Sequence, residues 1–100
     1  MHARLSYLEG STDSLDAGVK SFREQVVPAV RDNGGKAAYL LVDRATGRAI
    51  GVTLWESEEA MRASEEAANA LRAQAAKEMH ARAAPKVERY EIVVSESFGQ

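Results

Sequence analysis

The chain has 100 residues, 45% hydrophobic and 28% charged, with 13 Lys and Arg against 15 Asp and Glu for a net charge of −2. That balance excludes a disordered chain and lacks the positive excess that draws proteins to nucleic acid or anionic membrane. Without cysteine there is no disulfide, thiolate nucleophile or cysteine-ligated metal, and no apolar run suffices for a membrane span or signal segment, so one cytoplasmic domain over residues 1–100 is expected.

Ala3 to Leu8 alternates Ala3, Leu5 and Tyr7 against Arg4 and Ser6 and reads as a short strand. Glu9 to Ser14 supplies a turn with several candidate helix caps. Leu15, Val19, Phe22, Val26 and Val30 recur at helical spacing, predicting an amphipathic helix over about residues 14–32. Pro28 within it removes the hydrogen bond to the Glu24 carbonyl, so a kink or a tightened last turn is expected there. Asn33-Gly34-Gly35 ends the helix.

Lys36 to Asp43 and Arg48 to Trp55 are strand-like runs joined by the tight loop Arg44-Ala45-Thr46-Gly47. Ser57, followed by Glu58 and Glu59, caps a second helix predicted to run to Ala84, where Pro85 stops it. Val87 to Glu96 is predicted as the last strand. The order β-α-β-β-α-β is a ferredoxin-like α+β arrangement: a four-stranded antiparallel sheet with two helices on one face.

Two helices cover one face only, yet the second strand is apolar on both sides: Ala38, Leu40 and Val42 against Ala37, Tyr39 and Leu41. The third strand sets Ile50, Val52 and Leu54 against Ala49, Gly51, Thr53 and Trp55. A sheet apolar on both faces needs a second cover, and a symmetry-related copy of itself supplies one, so a homodimer packed sheet to sheet is expected.

The hairpin Asp43-Arg44-Ala45-Thr46-Gly47-Arg48 followed by Val52-Thr53-Leu54-Trp55-Glu56-Ser57-Glu58-Glu59-Ala60 resembles the antibiotic biosynthesis monooxygenase family of the dimeric α+β barrel superfamily. Val27-Pro28-Ala29-Val30 and the Gly34-Gly35 turn extend the resemblance over essentially the whole chain. It implies a ligand cavity between sheet and helices walled by Trp55, and chemistry ranging from cofactor-independent oxygenation of aromatic or quinol substrates to heme degradation. The similar oxygenases carry an Asn on the tryptophan's strand face, where this chain has Gly51 and Thr53. The heme degraders carry an iron-ligating His three turns beyond the tryptophan, where this chain reads Arg62-Ala63-Ser64-Glu65-Glu66. No stoichiometric metal or heme is therefore expected, and the resemblance implies either a cofactor-independent monooxygenase or a non-catalytic small-molecule-binding protein on the same scaffold.

The residues themselves leave roles open. Trp55 reads as a core anchor or as a wall stacking on a flat substrate, with the small Gly51 and Thr53 leaving room beside it. Met61, Ser64, Ala68, Leu71, Ala75 and Met79 form the buried stripe of the second helix, and Arg72 at its edge either snorkels or reaches into the cavity. The candidate cavity set is Trp55, Arg72, Thr53, Met61, Phe22 and Tyr39, with a small aromatic ligand as partner. Tyr39 belongs only if the hairpin puts it, rather than Leu40, on the face of Trp55. His80 points away from the stripe and reads as solvated. No aromatic cluster of the RNA-binding kind is present.

Overall fold

The computed structural model describes residues 1–99. Strands β1 (His2–Glu9), β2 (Ala37–Asp43), β3 (Arg48–Trp55) and β4 (Lys86–Glu91) form one antiparallel sheet in the order β2-β3-β1-β4. The β1-to-β2 and β3-to-β4 connections carry the helices. Gly47 closes the hairpin in the left-handed region (φ 83°), donating its N–H to the Asp43 carbonyl at 2.9 Å. The Asp43 carboxylate accepts from the Ala45 N–H at 3.0 Å. This loop fixes the register: Leu40 lies opposite Gly51, and Gly51 opposite Ser6. Leu40 and Val42 therefore share the face of Trp55, whereas Tyr39 and Leu41 lie on the other.

The first helical layer differs from the single helix predicted. It comprises α1 (Leu15–Ser21), a widened π turn at Phe22–Val26, and α2 (Val27–Asp32). Pro28 has no N–H and its ring crowds the Glu24 carbonyl; the helix answers by widening ahead of the proline instead of tightening. The Val27 N–H reaches back to the Phe22 carbonyl. Gly34 (φ 84°) terminates α2, with the Gly35 N–H bonded to the Val30 carbonyl at 2.7 Å.

The second layer is also broken. Ser57 Oγ accepts the Ala60 N–H at 3.1 Å and starts α3 (Glu58–Ala63); the chain bends at Ser64 and continues as α4 (Glu65–Glu78). It stops six residues before the predicted Ala84. His80 adopts φ 52°, and the Ala81 N–H bonds the Ala76 carbonyl at 2.8 Å, a left-handed cap made without glycine. Docking dictates this end: Met79 packs against Gly18, and its carbonyl accepts the Ser11 N–H at 3.2 Å beside Gly10. Strand β4 is likewise shorter than Val87 to Glu96. Its partner β1 begins at His2, opposite Glu91, so the ladder runs out. Beyond it Val93, Val94 and Phe98 are 78–88% exposed.

All the helices pack on the Trp55 face, in two clusters. Leu15, Ala49 and Met79 form one; Val30, Trp55 and Met61 form the other. The opposite face carries Leu5, Tyr7, Leu41, Ile50, Val52 and Leu54 with no helix over it among the described residues, and Tyr39, Leu41 and Tyr90 are each 53% exposed.

Candidate functional site

Between the two core clusters lies a cavity of about 80 Å³, several times the space one water molecule needs. Gly51, Thr53, Trp55 and Leu40 line it from the sheet, Phe22 and Val26 from the widened turn, and Ala68, Leu71 and Ala75 from α4. The small residues make the space: a methyl group at Gly51 would already touch Phe22 Cε2 at 3.4 Å. Arg4, Ser6, Ser64 and Arg72 gather at one polar end of this largely apolar cavity, with Thr53 and Asn33 its other polar lining residues.

Four of the six predicted residues line the cavity: Trp55, Thr53, Phe22 and Arg72. Met61 does not; it is buried with Val30 and Trp55 in the core, and its carbonyl rather than its sulfur is engaged. Tyr39 is corrected outright, because the hairpin register turns it to the uncovered face. Tyr7 and Tyr90 lie on that face as well, so no tyrosine hydroxyl lines the cavity among the described residues. His80 is exposed, as the sequence predicts.

Trp55 is fully buried, and its indole N–H donates to Thr53 Oγ1 at 2.9 Å. That bond satisfies the one polar atom of the ring. The guanidinium of Arg4 stands 5.3 Å from the indole centroid, in cation–π range. Arg4 is the residue that pattern reading missed. Its strand places it opposite Thr53 on the inner face, and it is only 3% exposed. Its Nη1 donates to the Met61 carbonyl at 3.1 Å, to Ser64 Oγ at 3.1 Å and to Glu65 Oε2 at 3.2 Å, tying β1 to the break between α3 and α4. The pairing of β1 with β3 was the signal that could have found it, since opposite residues share a face.

Glu65 is the hub of a charged network. Arg89 donates to it from Nη2 at 2.6 Å and Nε at 3.2 Å, and Arg72 reaches it at 3.5 Å while also bonding Ser6 Oγ at 3.3 Å and Asn69. The Arg89 hydrogen bonds hold the Glu65 carboxyl below its ordinary range; burial opposes this, and the charges of Arg4, Arg89 and Arg72 reinforce it. Burial lowers the guanidinium pKa values of Arg4 and Arg72, with Glu65 acting against it. Both remain cations, because arginine starts so high. Three guanidiniums thus share one carboxylate, leaving two positive charges unbalanced at the polar end.

No group of three or more potential metal-ligating side chains occurs among the described residues, and no His, Asp or Glu lines the cavity. No helix is long and apolar enough to cross a membrane among those residues.

No family model matches the chain. It is 37% identical over 93 residues to one uncharacterized protein of Mycobacterium tuberculosis and 40% identical over 77 residues to another, covering 92% and 76% of this chain. It spans 41% and 33% of the length of these relatives. Among solved structures it is similar to a Streptomyces coelicolor monooxygenase in complex with nanaomycin D (TM-score 0.78, 16% identity, 98% of this chain and 92% of that one). It also matches a dimeric ferredoxin-like protein from an uncultured marine organism (TM-score 0.68, 17% identity, 99% and 92%). A heme-degrading Mycobacterium tuberculosis protein with two hemes bound is a further match (TM-score 0.68, 20% identity, 97% and 100%). The chain has the ferredoxin-like α+β fold of antibiotic biosynthesis monooxygenase proteins.

Proposed function

We propose that this chain is a cofactor-independent monooxygenase domain for a small aromatic substrate of quinol or phenol type, acting as a cytoplasmic homodimer joined through the uncovered sheet face. The observation that carries this reading is the cavity, an apolar space with a tryptophan wall and a cationic end. The Streptomyces monooxygenase of the same fold, solved with nanaomycin D, supports an aromatic occupant. The apolar outer strand face and the exposed Val93, Val94 and Phe98 support a second copy as its cover.

The chemistry balances without a metal or flavin. An ionised phenol delocalises its charge onto a ring-flanked carbon, which gives electrons to dioxygen and forms a carbon–peroxide bond. Loss of water from that peroxide leaves a new carbonyl. One oxygen atom goes to the substrate and the other to water, and all four electrons come from the substrate carbon. Trp55 holds the ring, the apolar walls exclude water, and Arg72 holds the anionic oxygen while charge moves.

A second reading, a binding protein without turnover, is favoured by one feature: among the described residues no carboxylate or imidazole lines the cavity to remove a proton. A substrate that ionises in water bypasses that need. The heme-degrading alternative lacks a histidine on the cavity wall to ligate iron. Oxygen uptake with anthrone separates the readings. One dioxygen consumed per anthraquinone formed, with the rate falling at least about tenfold in Trp55→Phe or Arg72→Ala, supports oxygenation. Saturable anthrone binding without oxygen uptake assigns the binding role.

A further inference from the structure

Arg4 makes all its hydrogen bonds through Nη1; among the described residues its Nε and Nη2 have no protein acceptor. No fully buried side-chain nitrogen or oxygen among those residues lacks a partner, so these two nitrogens border open space. The residue is only 3% exposed and lines the cavity, the open space nearest to it. A guanidinium edge with two adjacent unfilled donors matches the two oxygens of a carboxylate. Ser6 lies two residues along the same strand face and holds Arg72 beside it through a 3.3 Å bond.

We infer that the polar end of the cavity is a carboxylate-binding subsite built on Arg4, with Arg72 alongside, and that the ligand is an aromatic carboxylic acid. Its ring lies against Trp55 and its carboxylate meets Arg4. The inference deepens the proposed function and rests on its reading of the cavity. The unbalanced charge is what makes the subsite selective. Glu65 neutralises one of three guanidiniums, and an incoming carboxylate neutralises a second in a site where little water competes. A neutral ligand of the same shape leaves those donors unpaired.

The test is calorimetric titration of the full chain with naphthoate and with naphthalenemethanol, which share a ring system and differ in charge. Naphthoate is expected to bind at least about tenfold more tightly, the scale of one charge-assisted pair. Arg4→Gln should abolish that preference by weakening naphthoate binding. Glu65→Gln, which does not touch the Arg4 donors facing the cavity, should tighten naphthoate severalfold and leave the alcohol unchanged. Equal binding of the two probes, insensitive to either substitution, would overturn the subsite while leaving an aromatic cavity standing. Failure of both probes to bind would overturn the cavity reading and this inference with it.

Discussion

In the middle of β1 and β3 the inner and outer faces of the sheet carry different kinds of residue. Under the helices, β1 and β3 present Arg4, Ser6, Gly51 and Thr53 around Trp55; toward the outside the same strands present Leu5, Tyr7, Ile50, Val52 and Leu54. In the middle of these two strands the covered face therefore holds a buried charge and hydrogen-bonded groups while the uncovered face is apolar. The charges of the uncovered face (Glu9, Asp43, Arg48, Lys86 and Glu88) lie at strand ends and on the edge strand β4. A sheet that served only its own core would be arranged the other way. The difference assigns recognition of a small molecule to the inner face and assembly to the outer one, and substitutions on each face should give different phenotypes.

The largest effect is expected at the inner face. Trp55→Ala removes a fully buried indole and should cost about 3–5 kcal/mol in urea denaturation. Leu41→Ala, half exposed in the single chain, should cost under about 1 kcal/mol when measured under monomeric conditions. Comparable costs at the two sites would break the division. On the outer face, the double change Leu41→Asp and Ile50→Asp should weaken self-association at least about 100-fold in sedimentation equilibrium and leave ligand affinity within about threefold. An unaltered sedimentation profile would place the interface elsewhere.

The charged network sets a pH signature. The Glu65 carboxyl titrates below its unfolded value, so its stabilisation is complete above the unfolded pKa of about 4.3 and is lost as pH falls through the folded pKa. Glu65→Gln should cost about 2 kcal/mol near neutrality, a value reduced for the partial exposure of the side chain, and the gap to the parent should narrow as pH falls below about 4.3. A gap independent of pH would show that Glu65 acts by shape. The smallest effect is expected for Gly51→Ala. Its methyl group meets Phe22 at ordinary contact distance, so stability should change by under about 1 kcal/mol while aromatic affinity falls roughly fivefold.

The element order was legible because each segment carries its own local signal: the Ser57 cap with its acidic first turn, the Gly47 hairpin, and the Gly34 helix stop. What was not legible depends on contacts between segments. The end of α4 at Met79 follows from its docking on Gly10 and Gly18, and the end of β4 from where β1 begins. The π turn is one of several ways a helix accommodates Pro28, and packing of Phe22 over Gly51 accompanies the one adopted here. Tyr39 was misplaced because strand parity depends on hairpin register, which composition does not reveal. Arg4 escaped notice because a charged residue alternating with Ala3, Leu5 and Tyr7 reads as the solvent side. Only pairing with β3 and the helix break at Ser64 turn it inward with acceptors to satisfy it.

The division of the two faces is tested most directly through the single indole. In the N–H NMR spectrum of isotopically labelled protein, Trp55 gives one side-chain resonance, and its hydrogen bond to Thr53 fixes that proton at the cavity wall. Titration with naphthoate is predicted to shift this resonance and the Gly51 and Ser6 amides saturably, while the amides of Tyr39, Leu41 and Tyr90 stay in place. Saturable shifts confined to the Tyr39, Leu41 and Tyr90 amides, with the indole unmoved, would contradict the assignment of recognition to the inner face.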